Sequence, residues 1–282
     1  MTTTRLQPTS KSLIVNGLRI HYLEWGTANA PPVVCVHGYT SSAEAFNALA
    51  RRLQHQVRII VPDVRGHGDS DWSSDGAYGY LDQMSDLEAL VDQLELQQFA
   101  LIGTSMGGII AMAYAAAHPR RLRSLVVNDI GPDVEHGSQR ITQTVGARPD
   151  SFATLEAALQ YRCEISPITA ARPADDQREL ALGVLREADD GCWVWKMDPA
   201  YIEQRVARGA PVRPDLWPAL GALACPTLVV WGTTSDVLGE QQARRMANTL
   251  LRGELVSVPG TGHAPTLVEP PVLEALEGLL GA

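Results

Sequence analysis

The sequence lacks the features that mark membrane-spanning, secreted or repetitive proteins. No apolar stretch is long enough to cross a bilayer, and the chain contains no internal repeat or low-complexity segment. The first ten residues are polar and lack the apolar core of a secretory signal, so we interpret them as a loose tail. We therefore expect a cytoplasmic protein that does not associate with a membrane.

Cysteine is scarce, with only four residues, and no two of them form a C-x-x-C pair. Cys35, Cys163, Cys192 and Cys225 are scattered, and no histidine lies near them at the spacing of a metal site. Free buried thiols in a reducing compartment are the favoured interpretation, while a Cys163–Cys192 disulfide stays open. We expect neither a metal nor a cofactor.

Positive charge is in deficit, because 32 acidic residues face 23 lysines and arginines and leave a formal net charge of −9. An acidic surface repels polyanions, which argues against nucleic acid or an anionic membrane as the working partner. The same charge favours a small neutral substrate over a strongly acidic one. The oligomeric state stays open, with a homodimer among the alternatives.

What the chain does contain is a regular alternation of strand-like and helix-like segments. At 282 residues with 45% hydrophobic content it can bury a large core. Asn16-Gly17 predicts a hairpin between the first two strands. The alternation predicts an α/β fold, with a mostly parallel, doubly wound sheet covered by helices on both faces. The predicted strands span residues 11–16, 19–25, 33–36, 57–61, 99–102, 124–129, 227–231 and 254–258.

The character of the sequence changes after Gly131-Pro132. Strand-like runs disappear until about Pro218, helical segments take over, and aromatic residues accumulate. We interpret this stretch as an inserted helical cap. The predicted domains are residues 1–131 for the first part of the core, 132–218 for the cap and 219–282 for the second part of the core.

Three aromatic residues of the cap, Tyr161, Trp193 and Trp195, are the candidates for contacting substrate. The cap is expected to be a mobile lid in which the two tryptophans decide which acyl or alcohol groups are admitted. They flank Val194, so they would share a face in a strand but not in a helix. At most one is expected to face the pocket. Helix packing is the alternative explanation for the whole aromatic set.

The stretch Gly103-Thr104-Ser105-Met106-Gly107-Gly108 is the strongest functional signal. It follows an apolar strand and precedes an alanine-rich apolar helix, so Ser105 lies on a tight strand-to-helix turn. The glycines on either side leave room for a strained backbone at the serine. A hydroxyl placed there is exposed, lies at a helix N-terminus and has the Met106 N–H beside it. This pattern predicts a nucleophile at Ser105.

Other reactive side chains follow predicted strands and should reach the same edge of the sheet. Ligands of parallel α/β sheets bind beyond the carboxyl ends of the strands. His263 lies in a glycine-flanked loop near the end of the chain, and imidazole serves as a general base near neutral pH. Asp129 and Asp236 each end or follow a predicted strand, so either is a candidate acid.

Five stretches of the chain match a known pattern, in which a serine, an acid and a histidine follow one another in this order. They are Val36-His37-Gly38-Tyr39, Pro62-Asp63-Val64-Arg65-Gly66-His67-Gly68-Asp69-Ser70, Gly103-Thr104-Ser105-Met106-Gly107-Gly108, Trp231-Gly232-Thr233-Thr234-Ser235-Asp236 and Pro259-Gly260-Thr261-Gly262-His263. Taken together they resemble the α/β-hydrolase fold family over residues 11–280. The resemblance implies that Ser105 attacks a carbonyl, that His263 moves its proton, and that an aspartate orients the imidazolium.

The same resemblance implies an oxyanion hole made by the backbone N–H groups of Tyr39 and Met106. For the acid we favour Asp236, whose loop resembles the commoner acid loop of the family, and keep Asp129 as the alternative. His37 is expected to shape the oxyanion loop through a hydrogen bond, and His67 to be structural.

The function implied is hydrolysis of carboxylic esters through an acyl-enzyme. Haloalkane dehalogenases and epoxide hydrolases of this family carry an aspartate in place of the serine, so Ser105 speaks against both. Carbon–carbon bond hydrolases, hydroxynitrile lyases and cofactor-free perhydrolases keep the serine and stay open. A small-molecule receptor built on the same fold is the non-enzymatic alternative.

Overall fold

The computed structural model describes residues 7–133 and 137–281. The strands are β1 (Thr9–Val15), β2 (Leu18–Trp25), β3 (Pro32–Val36), β4 (Arg58–Pro62), β5 (Phe99–Thr104), β6 (Leu122–Asn128), β7 (Ser151–Phe152), β8 (Leu185–Glu187), β9 (Trp193–Trp195), β10 (Thr227–Gly232) and β11 (Gly253–Val258). The helices are α1 (Asn47–Leu53), α2 (Tyr80–Gln93), α3 (Met106–Ala117), α4 (Gly137–Gly146), α5 (Leu155–Ile165), α6 (Pro167–Ala170), α7 (Ala174–Val184), α8 (Pro199–Arg208), α9 (Trp217–Ala222), α10 (Glu240–Thr249) and α11 (Pro270–Leu280).

Eight strands form the main sheet in the order β1-β2-β4-β3-β5-β6-β10-β11. Strand β2 pairs antiparallel with both β1 and β4, and the remaining neighbours pair in parallel. Asn16 and Gly17, which join β1 to β2, have φ values of 50° and 81°, as a two-residue hairpin turn requires. The predicted α/β class with a mostly parallel, doubly wound sheet is confirmed.

Helices cover both faces of this sheet, which explains why its inner strands are apolar along their whole length. Leu49 of α1 and Leu276 of α11 belong to the cluster of buried residues on one face. Leu90 of α2 and Ile110 of α3 belong to the cluster on the other. Because the inner strands run in parallel, the loops that follow them meet at one edge of the sheet. The reactive side chains predicted above lie in these loops.

Residues 132–218, here called the cap segment, leave the core after β6 and return to it before β10. Helices α4 to α8 lie wholly within it. The segment also contains a three-stranded antiparallel sheet in the order β7-β9-β8, which the prediction of an inserted helical cap did not include. Strands of two or three residues are too short for the alternation that identifies a strand in a sequence.

Two smaller expectations are corrected. Strand β1 begins at Thr9, so part of the predicted loose tail is ordered, while residues 1–6 lie outside the described part of the chain. Cys163 and Cys192 are both free thiols, which removes the disulfide alternative. Among the helices of residues 7–133 and 137–281, none combines the length and apolar character that crossing a bilayer requires.

Candidate active site

Ser105 lies on the sharp turn between β5 and α3. Its φ of 53° and ψ of −117° are strained for a residue with a side chain, and its backbone N–H donates to the Asn128 carbonyl at 2.9 Å. A Cβ on Gly103 would overlap the backbone of Gly107, and a Cβ on Gly107 would overlap the backbone of Val36. Both glycines are therefore required by the packing of this turn, as the sequence predicted.

His263 joins Ser105 to a buried carboxylate. Its Nε2 lies 2.8 Å from the Ser105 Oγ, and its Nδ1 lies 2.8 Å from Oδ2 of Asp129. An ionised carboxylate only accepts hydrogen bonds, so Nδ1 carries the proton and Nε2 accepts from the serine hydroxyl. In this tautomer the imidazole is oriented to take up the hydroxyl proton.

The aspartate against His263 is Asp129, so our preference for Asp236 is wrong. Asp129 directly follows β6 with a φ of 55° and is fully buried, with 0% of its surface exposed. Its carboxylate accepts hydrogen bonds from the Gly232 N–H at 3.0 Å and the Ala264 N–H at 3.0 Å. The Ser235 hydroxyl donates a third at 2.6 Å. With the histidine these donors hold a buried charge in one orientation.

Asp236 instead points away from His263, toward the cap segment. Its side chain is 44% exposed and accepts two hydrogen bonds from Arg140 of α4, Nε to Oδ2 at 2.5 Å and Nη2 to Oδ1 at 2.9 Å. These bonds lower the pKa of the Asp236 carboxyl. The neighbouring Ser235 turns inward in its place. The loop after β10 therefore supplies a hydrogen-bond donor to Asp129 and not the acid itself, a difference that no local sequence pattern reports.

The loop after β3 lies close to Ser105, where the oxyanion hole was predicted. A Cβ on Gly38 would lie 3.4 Å from the Ser105 Cβ. Among the described residues no hydrogen bond engages the Tyr39 N–H. Met106 is the first residue of α3, and N–H groups of a first helical turn have no partner within their own helix. Neither of the two predicted donors is thus engaged by another of the described residues.

His37 anchors this loop through hydrogen bonds, as predicted. Its Nδ1 donates to the Gly38 carbonyl at 2.8 Å, and its Nε2 accepts the Val64 N–H at 3.0 Å. Burial lowers the pKa of His37, which keeps the ring neutral and able to donate and accept at once. The side chain is completely buried, and neither of its two hydrogen bonds is to the Ser105 hydroxyl.

A cavity of about 550 Å³ opens over Ser105 and His263. The core lines one side of it, and the cap segment lines the other. The apolar residues of the cap segment that line it are Ile141, Val145, Ile165, Pro167, Ile168 and Leu180. Three arginines, Arg140, Arg162 and Arg172, also face it. Sequence reasoning missed all three, since a single arginine on a polar helix carries no distinguishing signal.

The three aromatic residues proposed to bind substrate do not line this cavity, so that prediction is wrong. Tyr161, Trp193 and Trp195 pack instead against the buried cluster within the cap segment, around Phe152. Trp193 and Trp195 belong to strand β9, and the Trp195 Nε1 donates to the Pro149 carbonyl at 2.7 Å. These three residues therefore have the packing role that was the alternative explanation. Their large rings bury apolar area in a cluster separate from the main core.

The charged loop after β4 is structural. Burial lowers the pKa of His67 to about 3, and its Nδ1 donates to the Arg65 carbonyl at 3.1 Å. His21, Asp63 and Asp69 are the one group of described residues that lie close enough to share a metal ion. Asp63 already accepts from the His21 Nδ1 at 2.7 Å and from the backbone of Ala43 at 2.7 Å. These hydrogen bonds account for the carboxylate without a metal.

Comparison with known proteins agrees with this fold. The profile of the family described as alpha/beta hydrolase fold matches residues 31–270. An alpha/beta hydrolase from Novosphingobium aromaticivorans, solved by crystallography, has a TM-score of 0.86 and 36% identity, with 98% of each chain covered.

Two curated relatives are similar over nearly their whole length. The 3-hydroxybutyrate-oligomer hydrolase of Cupriavidus necator is 34% identical, with 89% of each chain covered. The 2-(acetamidomethylene)succinate hydrolase of Mesorhizobium japonicum is 30% identical, over 97% of this chain and 95% of the relative. Both names describe hydrolases. With a family profile that spans most of the sequence and relatives of this similarity, the chain belongs to the alpha/beta hydrolase fold family.

Proposed function

We propose that the protein is a carboxylic ester hydrolase that forms an acyl-enzyme on Ser105, with His263 and Asp129 completing the triad. The observation that carries the proposal is the continuous pair of contacts, 2.8 Å from Ser105 to His263 and 2.8 Å from His263 to the buried Asp129. Nucleophile, base and orienting acid are recognised by this geometry and not by their positions in the sequence.

In the proposed reaction the Ser105 Oγ attacks the ester carbonyl while His263 Nε2 takes the hydroxyl proton. The negative charge that develops on the carbonyl oxygen is stabilised by the N–H groups of Tyr39 and Met106. The carbon–oxygen bond to the alcohol then breaks, and His263 returns the proton to the leaving alkoxide. A water molecule, deprotonated by the same imidazole, attacks the acyl-enzyme and releases the acid. Asp129 stays ionised and stabilises the imidazolium in both steps.

The relatives support a hydrolase, and one of them supports the ester. The units of a 3-hydroxybutyrate oligomer are joined by ester bonds, which is the bond that the name of the Cupriavidus relative implies it cleaves. The other relative is named for a different substrate, so the family alone does not decide the bond. Free thiols at all four cysteines are compatible with the cytoplasmic location that we propose.

Reaction of the purified protein with a fluorophosphonate probe and with 4-nitrophenyl butyrate tests the proposal. We expect one covalent label on Ser105, a pre-steady-state burst of 4-nitrophenolate, and loss of both in Ser105→Ala. A label without ester turnover would favour the carbon–carbon hydrolase or perhydrolase alternatives. Absence of both label and turnover across a panel of esters would favour the receptor.

A further inference from the structure

The cavity over Ser105 is positively charged, although the chain as a whole carries a net charge of −9. Three arginines line it, and no aspartate or glutamate of residues 7–133 and 137–281 does. Apolar side chains make up most of the remaining lining on the cap side. Charges of one sign in a low-dielectric cleft concentrate ligands of the opposite sign, whatever the net charge of the protein.

The three arginines differ in whether their charge is already neutralised. Arg140 is bound to Asp236 through two hydrogen bonds. No carboxylate in the described part of the chain forms an ion pair with Arg162 or Arg172, although the charge of Glu269 acts on Arg172 from a distance. Two cations therefore face the cavity without a bonded counter-ion.

Arg162 is the more unusual of the two. Its Nε is shielded from water and has no hydrogen-bond partner among the described residues. Desolvation, with a smaller repulsion from Arg172, lowers the pKa of Arg162 to about 10. A buried donor without an acceptor is destabilising, so the side chain is held here without a partner inside the protein. Of its nitrogens only the Nε is shielded, and the Nη groups are therefore open to a ligand in the cavity that Arg162 lines. The position of Arg162 in the last turn of α5 suits a cation but provides no acceptor for this Nε.

We propose that Arg162, assisted by Arg172, binds an ionised carboxylate of the substrate, so that the natural substrate is an ester that also carries a free carboxyl group. A guanidinium matches a carboxylate because both are planar and can form two parallel hydrogen bonds. The apolar lining of the cavity would hold the carbon chain between this carboxylate and the ester at Ser105. The inference rests on the proposed esterase function and replaces the neutral substrate expected from the net charge.

Matched pairs of substrates test this inference separately from the esterase function on which it rests. Mono-4-nitrophenyl esters of adipic, pimelic and suberic acid carry a carboxylate at the far end, and the corresponding ω-carboxamides have nearly the same shape without the charge. For at least one length we expect kcat/KM for the carboxylate to exceed that for the carboxamide by about 10- to 100-fold, as a charge-assisted hydrogen bond provides. Equal kcat/KM values at all three lengths, with normal turnover, would overturn the inference and leave the esterase standing.

Arg162→Met tests the assignment to this residue. We expect the ratio of kcat/KM for the carboxylate ester to kcat/KM for the carboxamide ester to fall by at least tenfold, because loss of the guanidinium weakens binding of the charged ester alone. The thermal midpoint without substrate should stay the same or rise, since the variant removes a poorly compensated cation. Arg162→Lys keeps the charge and should retain part of the preference. Arg178→Met, at an exposed position outside the cavity, is the matched control and should retain all of it. A lower midpoint in Arg162→Met with an unchanged preference would assign the residue to the structure of the cap segment.

Binding can be measured even if the protein hydrolyses none of these esters. Calorimetric titration of Ser105→Ala with methyl hydrogen adipate and with methyl adipamate compares the two charges on an ester that stays intact. Tighter binding of the carboxylate by about tenfold or more, lost on adding Arg162→Met, supports the inference. Equal affinities, or a difference that survives Arg162→Met, contradict it.

Discussion

The loops at the edge of the main sheet that carry Ser105, Asp129 and His263, here called the rim, differ from the cap segment in whether their charged side chains have partners within the protein. At the rim, Asp129 is completely buried, and three donors besides His263 bond to its carboxylate. In the cap segment, the guanidinium groups of Arg162 and Arg172 face a cavity that holds no acid among the described residues. The carboxylate at the rim is therefore hydrogen-bonded within the protein, whereas the two guanidinium groups of the cap segment have no bonded counter-ion.

This difference corresponds to the two roles that we propose, catalysis at the rim and selection of the substrate in the cap segment. A triad works only if its groups are held in place before the substrate arrives, so its hydrogen bonds are made within the protein. A binding group is useful only if its partner is the ligand, so its hydrogen bonds are left unmade. Asp236 and Arg140 lie where the regions meet, and their ion pair ties the core to α4.

The largest effect is expected from Asp129→Asn at the rim. An asparagine keeps the shape but presents an N–H to the imidazole, which favours the wrong tautomer, so kcat should fall by roughly 10⁴. Steady-state hydrolysis of 4-nitrophenyl butyrate measures it, with circular dichroism to verify folding. A near-normal kcat in this variant would remove Asp129 from the triad.

The next largest effect is expected on stability, from Trp195→Ala in the cap segment. The ring lies under the Arg148 guanidinium at 4.3 Å and packs edge-on to Phe152 at 5.6 Å. Because the residue is only partly buried, we expect a loss of about 2–4 kcal/mol, observed as a lower thermal midpoint. Trp72→Ala, at a 44% exposed tryptophan, should lose less. If the variant instead changed the order of preference among neutral esters and kept its stability, Trp195 would be a substrate-contacting residue, as first predicted.

Ser235→Ala tests how far the rim depends on the donors around Asp129. The Ser235 Oγ donates to the buried carboxylate at 2.6 Å, so its removal should cost roughly 1.5–3 kcal/mol of stability. We expect kcat to fall by about tenfold, because the carboxylate is held less firmly. Ser235→Thr restores the hydroxyl and should recover most of both losses. Equal loss in the alanine and threonine variants would point to packing in place of the hydrogen bond.

The smallest effect is expected from Asp236→Asn at the joint between the regions. The pair with Arg140 is exposed, and exposed pairs contribute less than about 1 kcal/mol. The pKa of Asp236 is lowered in the folded protein, so the contribution is present above the unfolded value, near pH 4, and disappears as the pH falls through the folded value. We expect the urea midpoints of variant and wild type to differ slightly at pH 7 and to converge as the pH falls below about 4. A kcat reduced by orders of magnitude would instead support our original assignment of the acid.

Much of the fold could be predicted because its signals are local. Strands buried on both faces are continuous apolar runs, and the turn at Ser105 requires glycines at fixed positions. Both features can therefore be recognised from a few consecutive residues. The short strands of the cap segment were missed because β7 and β8 are only two and three residues long. Pairing with β9 defines these strands, and pairing is not a property of any one segment.

Residues whose significance depends on their neighbours were harder to predict. Trp193 and Trp195 were conspicuous by type, yet their surroundings make them packing residues. Arg162 was inconspicuous, and what sets it apart is a shielded Nε without a partner on a side chain that lines the cavity. Net charge is a sum over the chain, so it could not show that three arginines line the cavity.

The sequence by itself determined the sheet, the turn that displays Ser105, and the histidine that follows the last strand, because each depends on the chemistry of a few consecutive residues. Only the tertiary structure decided between Asp129 and Asp236. Both follow neighbouring strands of one sheet, and the choice depends on which carboxylate the fold buries beneath the imidazole and surrounds with donors. Three-dimensional packing likewise brought two arginines of the cap segment to the cavity without supplying them an acid.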